Sequence, residues 1–151
     1  MNRFAHVNLI ARDSAKLIEF YKDVFGCRSI GETRDLTGDW LTRMTQIPGA
    51  HIVGEHLLLP GYGADHPTLE IFSYDPPAAG TSSAVNAPGF QHIAFEVDDV
   101  SKTLARVLAH GGQALGELVH ADYADGRRAT FVYARDPEGN ILELQSWEGT
   151  L

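Results

Sequence analysis

Two stretches of the chain carry apolar residues at helical spacing: Leu17, Phe20, Tyr21 and Val24 in one, Leu104, Val107 and Leu108 in the other. Apolar residues that recur every three or four positions line one side of a helix, so each stretch predicts a helix with a single apolar face. Both helices have start and stop signals. Asp13 precedes the first, where its carboxylate can accept from the free amides of the opening turn, and Asp99 or Ser101 precedes the second. Gly26 follows the first and Gly111-Gly112 the second. Shorter runs predict strands at 28–34, 51–59 and 68–74, and again at 114–118, 129–134 and 141–147. Two further strands begin near Phe4 and Phe90. Asp136-Pro137-Glu138-Gly139-Asn140 is a hairpin turn, and Trp40, Leu41 and Met44 predict a short helix inside 35–49.

The order strand, helix, three strands therefore occurs twice, and the residues repeat with it. Phe4-Ala5-His6-Val7 is answered by Phe90-Gln91-His92-Ile93, and an aspartate stands seven residues after each histidine. A Gly-Glu pair follows each helix, at Gly31-Glu32 and Gly116-Glu117. Leu69-Glu70-Ile71-Phe72-Ser73-Tyr74 lines up with Leu142-Glu143-Leu144-Gln145-Ser146-Trp147. The predicted fold is α+β, with two βαβββ modules at 4–74 and 89–148 in one domain spanning 1–151. A Pro-, Ala-, Gly- and Ser-rich linker at 75–88 joins them. About eight strands are expected, with the two long helices on the convex side and the modules related by a pseudo-twofold axis.

Strand alternation places the polar members of the repeat. His6 shares a face with Asn8 and Ile10, opposite Val7 and Leu9; His92 lies opposite Ile93 and Phe95. Glu70 is flanked by Leu69 and Ile71, and Glu143 by Leu142 and Leu144, so each glutamate points away from the apolar side. Alone, a strand histidine is ordinarily a hydrogen-bonded structural residue, and a strand glutamate faces solvent. Together they define a polar concavity in which two carboxylates repel unless a cation or proton lies between them. Two imidazoles and two carboxylates around one divalent ion resolve that conflict. The mixed nitrogen and oxygen donors suit Zn, Ni, Co, Mn or Fe better than calcium. His51, His56, His66, His110 and His120 have no counterpart in the repeat and read as surface or loop residues.

Composition narrows the partners. A formal net charge of −8 disfavours nucleic acid and anionic membrane surfaces, which need a basic face. No run approaches the ~18 apolar residues of a membrane span. A lone cysteine, Cys27, excludes an intrachain disulfide, and a cytoplasmic setting is expected.

Phe4-Ala-His6-Val7, the segment Glu19-Phe20-Tyr21-Lys22-Asp23-Val24-Phe25-Gly26, Gly89-Phe-Gln-His92-Ile-Ala-Phe-Glu-Val-Asp-Asp99 and Asp136-Pro-Glu-Gly-Asn-Ile-Leu-Glu143-Leu resemble the glyoxalase/bleomycin resistance/dioxygenase, or vicinal oxygen chelate, superfamily. The pattern is most similar to glyoxalase I or methylmalonyl-CoA epimerase-like members. The resemblance covers almost the whole chain, least across 35–49 and the linker. It implies paired βαβββ modules forming an open β-barrel, a homodimer, and family metal-ligand positions at His6, Glu70, His92 and Glu143.

Four protein ligands leave about two positions of an octahedral ion for vicinal substrate oxygens. The expected reaction is proton transfer next to a carbonyl or enolate polarised by the cation, with Glu143 the first candidate for the base and Glu70 the second. Dioxygen-activating relatives generally lack a ligand at the position of Glu70, so its presence favours a redox-neutral lyase or isomerase. The alternatives are an extradiol-type dioxygenase and a metal-free small-molecule binding or resistance protein. The substrate expected is a small molecule with oxygen donors, a thioester or hemithioacetal. Arg12, Arg34, Arg43, Arg127 and Arg128 are available to its anionic groups. Phe72, Tyr74, Gln145 and Trp147 share the strand faces of the glutamates.

Overall fold

A computed structural model describes residues 2–63, 67–80 and 84–149. The chain divides into two compact units, Met1–Gly80 and Thr81–Leu151. His66 and part of the linker, 81–83, lie outside the described residues.

The first unit runs β1 (His6–Ile10), α1 (Ser14–Phe25), β2 (Arg28–Leu36), α2 (Asp39–Thr45), β3 (His51–Leu58) and β4 (Thr68–Asp75). Its sheet has the order β1-β4-β3-β2, with β1 parallel to β4 and the other neighbours antiparallel. Parallel pairing of β1 needs a long crossover, and the chain between β1 and β4 supplies it. The Asp13 side chain caps α1 by accepting from the Lys16 amide at 3.0 Å. The helix stops at Gly26, whose φ of 72° lies in the left-handed region that glycine enters at least cost. Leu17, Phe20, Tyr21 and Val24 are all buried, as their spacing predicts. α1 packs on β3 and β4, over the face that carries Leu57, Leu69 and Ile71. Each such side chain contributes roughly 1.5–3 kcal/mol of burial.

The opposite face of the same sheet is divided along its length. At one end Leu41 of α2 joins Ala50, Ile52 and Phe72 in a second apolar cluster, whereas Trp40 and Met44 stay exposed. Further along β3 and β4 the same face carries His56 and Glu70. Between these regions the strands approach closely at Gly54. A Cβ there would run into the Ile71 carbonyl oxygen and the Phe72 ring.

The second unit runs β5 (His92–Glu96), α3 (Val100–Ala109), β6 (Gln113–Ala114), β7 (Val119–Asp122), β8 (Arg128–Arg135) and β9 (Ile141–Glu148). The sheet order is β5-β9-β8-β6, and β7 also pairs with β8. Asp99 caps α3 by accepting from the Lys102 amide at 2.9 Å. α3 packs on β8 and β9, on the side of Val132, Ala134, Leu142 and Leu144. The turn between β8 and β9 is organised by Asp136, only 2% exposed. Its carboxylate accepts from the amides of Glu138 and Asn140 at 2.9 and 3.0 Å, and from Asn140 Nδ2 at 2.8 Å.

The single strand expected at 114–118 is instead split. β6 pairs with β8 at Gln113 and Ala114, and β7 resumes on β8 from Val119. The matching strand of the first unit, β2, also loses register between Ile30 and Arg34, beginning at Gly31 with φ 72°. Both irregularities fall on the repeated Gly-Glu pair. Such insertions bend a strand and re-aim its neighbours. The described residues thus form nine strands rather than eight.

Candidate metal centre

Each unit places its histidine and glutamate by the same ladder arithmetic. In the first, β1 and β4 pair in the register Asn8 with Glu70, and His6 stands two residues earlier on the same face as Asn8. His6 Nε2 reaches Glu70 Oε2 at 3.3 Å. In the second, β5 and β9 pair Ala94 with Glu143, and His92 Nε2 reaches Glu143 Oε2 at 3.6 Å. Two ligands adjacent on one ion, each about 2.1 Å from it, stand roughly 3.0–3.5 Å apart. Both pairs therefore have a spacing close to that of neighbouring ligands, and the N/O chemistry fits a divalent cation. The side chains of Glu70 and Glu143 are only 12% and 19% exposed, so each carboxylate is largely withdrawn from water. Among the described residues, no group of three or more His, Cys, Asp or Glu side chains gathers as a metal cluster. The structure brings His6 to Glu70 and His92 to Glu143 as two pairs.

Each glutamate also has a partner across the antiparallel ladder. His56 is opposite Glu70 on β3, with its Nε2 3.0 Å from Glu70 Oε1. Tyr133 is opposite Glu143 on β8, and the two side chains lie on the same face of the sheet. The two units differ in the third neighbour: Asn8 Nδ2 lies 3.4 Å from Glu70 Oε2, whereas the equivalent position beside Glu143 is Ala94. Burial pushes the imidazole of His56 below its ordinary pKa, and Arg34 and His6 act in the same direction against the attraction of Glu70. Burial, then the charge of Glu143 and its hydrogen bond, push the Tyr133 phenol upward.

His56, inside the strand predicted at 51–59, thus stands half-buried beside the candidate site and is not the surface residue its sequence suggests. His51 and His120 also lie in strands: His51 Nε2 is 2.6 Å from Asp35 Oδ1, and His120 Nδ1 is 2.9 Å from Thr130 Oγ1. His110 caps the end of α3. Two of the arginines considered for substrate are already engaged. Arg127 bonds Asp125 at 2.8 Å and lies over the Trp147 ring, 4.7 Å from its centroid, and Arg128 is 3.5 Å from Asp122. A cavity of about 300 Å3 in the second unit has Glu143 and Tyr133 in its wall, with Val119 and Phe131 as apolar surface.

The family model for the Glyoxalase/Bleomycin resistance protein/Dioxygenase superfamily matches residues 3–144. The chain belongs to this superfamily. It is 29% identical over 145 residues to a lactoylglutathione lyase, GLX1, of Arabidopsis thaliana, covering 94% of this chain but 43% of the plant protein. The chain therefore spans less than half the length of that relative. It is 28% identical over 140 residues to the uncharacterized protein YaeR of Escherichia coli K12, covering 92% of each. Among solved structures, a glyoxalase family protein from Bacillus cereus superposes with a TM-score of 0.82 at 23% identity, over 99% of this chain and 96% of that one. A fosfomycin resistance protein, FosX, from Listeria monocytogenes, complexed with Mn(II) and sulfate, gives a TM-score of 0.57 at 21% identity, over 100% and 95% of the two chains. The mixed α+β architecture with two sheets agrees with the fold of these neighbours, as the sequence predicts. No helix among the described residues is long and apolar enough to cross a membrane.

Proposed function

We propose that the protein is a divalent-metal-dependent lyase or isomerase that moves a proton on a carbon next to a carbonyl. The observation that carries this reading is the pairing of His6 with Glu70 and of His92 with Glu143 at equivalent positions of two ladders, with nitrogen–oxygen separations of 3.3 and 3.6 Å. The proposed ligand set takes one pair from a first unit and one from a second, of the same chain or of a partner copy. The Mn(II) in the FosX structure, a protein of the same fold, is compatible with that donor set. When bound, the cation supplies Lewis-acid polarisation of a substrate oxygen.

The chain's own groups would do the rest. The carboxylate of Glu143 accepts the substrate's proton and returns it, and the Tyr133 phenol holds that carboxylate by donating to it. The cavity beside them offers Val119 and Phe131 to the non-reacting part of the substrate. Glu70 completes the ligand set, which favours redox-neutral chemistry, and the similarity to a lactoylglutathione lyase supports that direction. The substrate class is a hemithioacetal or a thioester, and the protein acts as a homodimer. A monomer in sedimentation at micromolar concentration would remove the dimer and leave the proposed chemistry standing.

The test is solvent deuterium incorporation by metal-loaded protein offered the hemithioacetal of methylglyoxal, and separately methylmalonyl-CoA. One of them is expected to exchange. Glu143→Gln should lower turnover by at least ~100-fold, with a smaller loss of metal affinity, and Glu70→Gln should be milder in turnover. Full activity of Glu143→Gln with metal still bound would show that the base lies elsewhere. No exchange with either compound would remove the substrate classes named here.

A further inference from the structure

Glu70 and Glu143 occupy equivalent ladder positions, yet their neighbours differ in kind. Glu70 is held from both sides. One oxygen, Oε1, faces His56 Nε2 at 3.0 Å; the other, Oε2, lies 3.3 Å from His6 Nε2 and 3.4 Å from Asn8 Nδ2. His56 in turn is fixed by its place in the middle of β3, opposite Glu70, and by edge-to-face contact with Phe72 at 5.7 Å between ring centroids. The rings of His6 and His56 are 6.3 Å apart and nearly perpendicular, and they address different oxygens of the same carboxylate.

We infer that His56 is a positioning residue: it holds Glu70 Oε1 by donating from Nε2, so that Oε2 alone is presented beside His6 to the cation. This rests on the metal reading above and adds a division of labour to it. A carboxylate with one oxygen tied to a ring in the sheet and the other beside Asn8 has little freedom to swing, as a ligand requires. Glu143 has Ala94 where Glu70 has Asn8, so the equivalent ladder position offers it no amide neighbour. Hydrogen-bonding partners behind a ligand typically set metal affinity by 10–100-fold, so the effect is large enough to measure.

The experiment is Mn(II) binding followed by electron paramagnetic resonance of the free ion, with no substrate present. Wild type, Glu70→Ala, His56→Ala, His56→Gln and the double variant Glu70→Ala/His56→Ala are compared, with circular dichroism to establish that each is folded. Expected results are a loss of about 10–100-fold in affinity for His56→Ala and partial recovery in His56→Gln, whose amide can still donate. The double variant should be no weaker than Glu70→Ala, because a residue that acts only through Glu70 has nothing left to act on. Unchanged binding in His56→Ala, with Glu70→Ala weakened, would overturn the role of His56 and leave the metal reading intact. A double variant weaker than Glu70→Ala would overturn it too, by making His56 an independent ligand. If Glu70→Ala binds like wild type, the metal reading itself fails.

Discussion

Tyr133 and Glu143 face one another across the β8–β9 ladder, close enough for the carboxylate to hold the phenolic proton in place. Burial and the negative charge of Glu143 both oppose loss of the phenolic proton, so the group titrates above its ordinary value of 10.0. The folded state therefore holds this proton more tightly than the unfolded chain. Its contribution to stability is fully present below pH 10 and is lost as pH rises through the folded value. In protein stripped of divalent ions, Glu143→Gln should bring the Tyr133 titration down toward the ordinary value, read by NMR of 13C-labelled tyrosine. Tyr133→Phe should lose less stability than wild type between neutral pH and the alkaline range. An unchanged Tyr133 titration in Glu143→Gln would show that the two side chains do not interact.

Chelation offers a second check on the ligand set. A cation present at about 100 times its dissociation constant stabilises the folded state by about 2.7 kcal/mol. For a chain of this size that corresponds to roughly 5–10 °C in melting temperature. A strong chelator should lower the melting temperature by that amount, and either His6→Ala or His92→Ala should abolish most of the difference. Loss of the effect in one variant but full retention in the other would mean that the two pairs do not serve one ion.

Cys27 should be chemically silent. It is 3% exposed, and burial pushes its thiol up to about 12. At pH 8 the thiolate fraction is then about 10⁻⁴, and the nucleophilic form is the thiolate. Labelling with an aromatic disulfide reagent should need guanidinium, and rapid labelling of the native protein would contradict the packing at the end of α1.

Asp136→Ala should destabilise the protein by about 2–3 kcal/mol in urea denaturation, because it leaves the Glu138 and Asn140 amides without their acceptor in a largely enclosed turn. Asp136→Asn keeps one oxygen and should lose about half as much. A change under about 0.5 kcal/mol for the alanine variant would mean that water replaces the carboxylate freely.

The repeat was legible because each piece of it is local. An aspartate seven residues past a histidine, a glycine after an apolar helix face and a glutamate between two aliphatic residues each signal structure within a few positions. His56 was not legible, because its equivalence to Tyr133 exists only in the ladder. The segment joining β3 to β4 covers 59–67, whereas 136–140 joins β8 to β9, so the two residues sit at different distances from their glutamates along the chain. The division of the predicted strand at 114–118 was hidden for a related reason. Leu115 still bonds its amide to the Tyr133 carbonyl at 3.0 Å, and only the long partner strand β8 shows that pairing lapses and then resumes. The two pairs themselves follow from strand alternation, which places His6 and Glu70 on one face of their ladder and His92 and Glu143 on one face of theirs.

Gly54 gives the first unit a vulnerability with no side chain to advertise it. It lies two residues before His56 on the same face of β3, at a point where β4 leaves no room for a Cβ. Any other residue there must push the two strands apart, and the distance it changes next is that between His56 and Glu70. Damage to the candidate site can thus enter through a position that contributes no side chain to it, and alanine replacement of the polar residues alone would never find it.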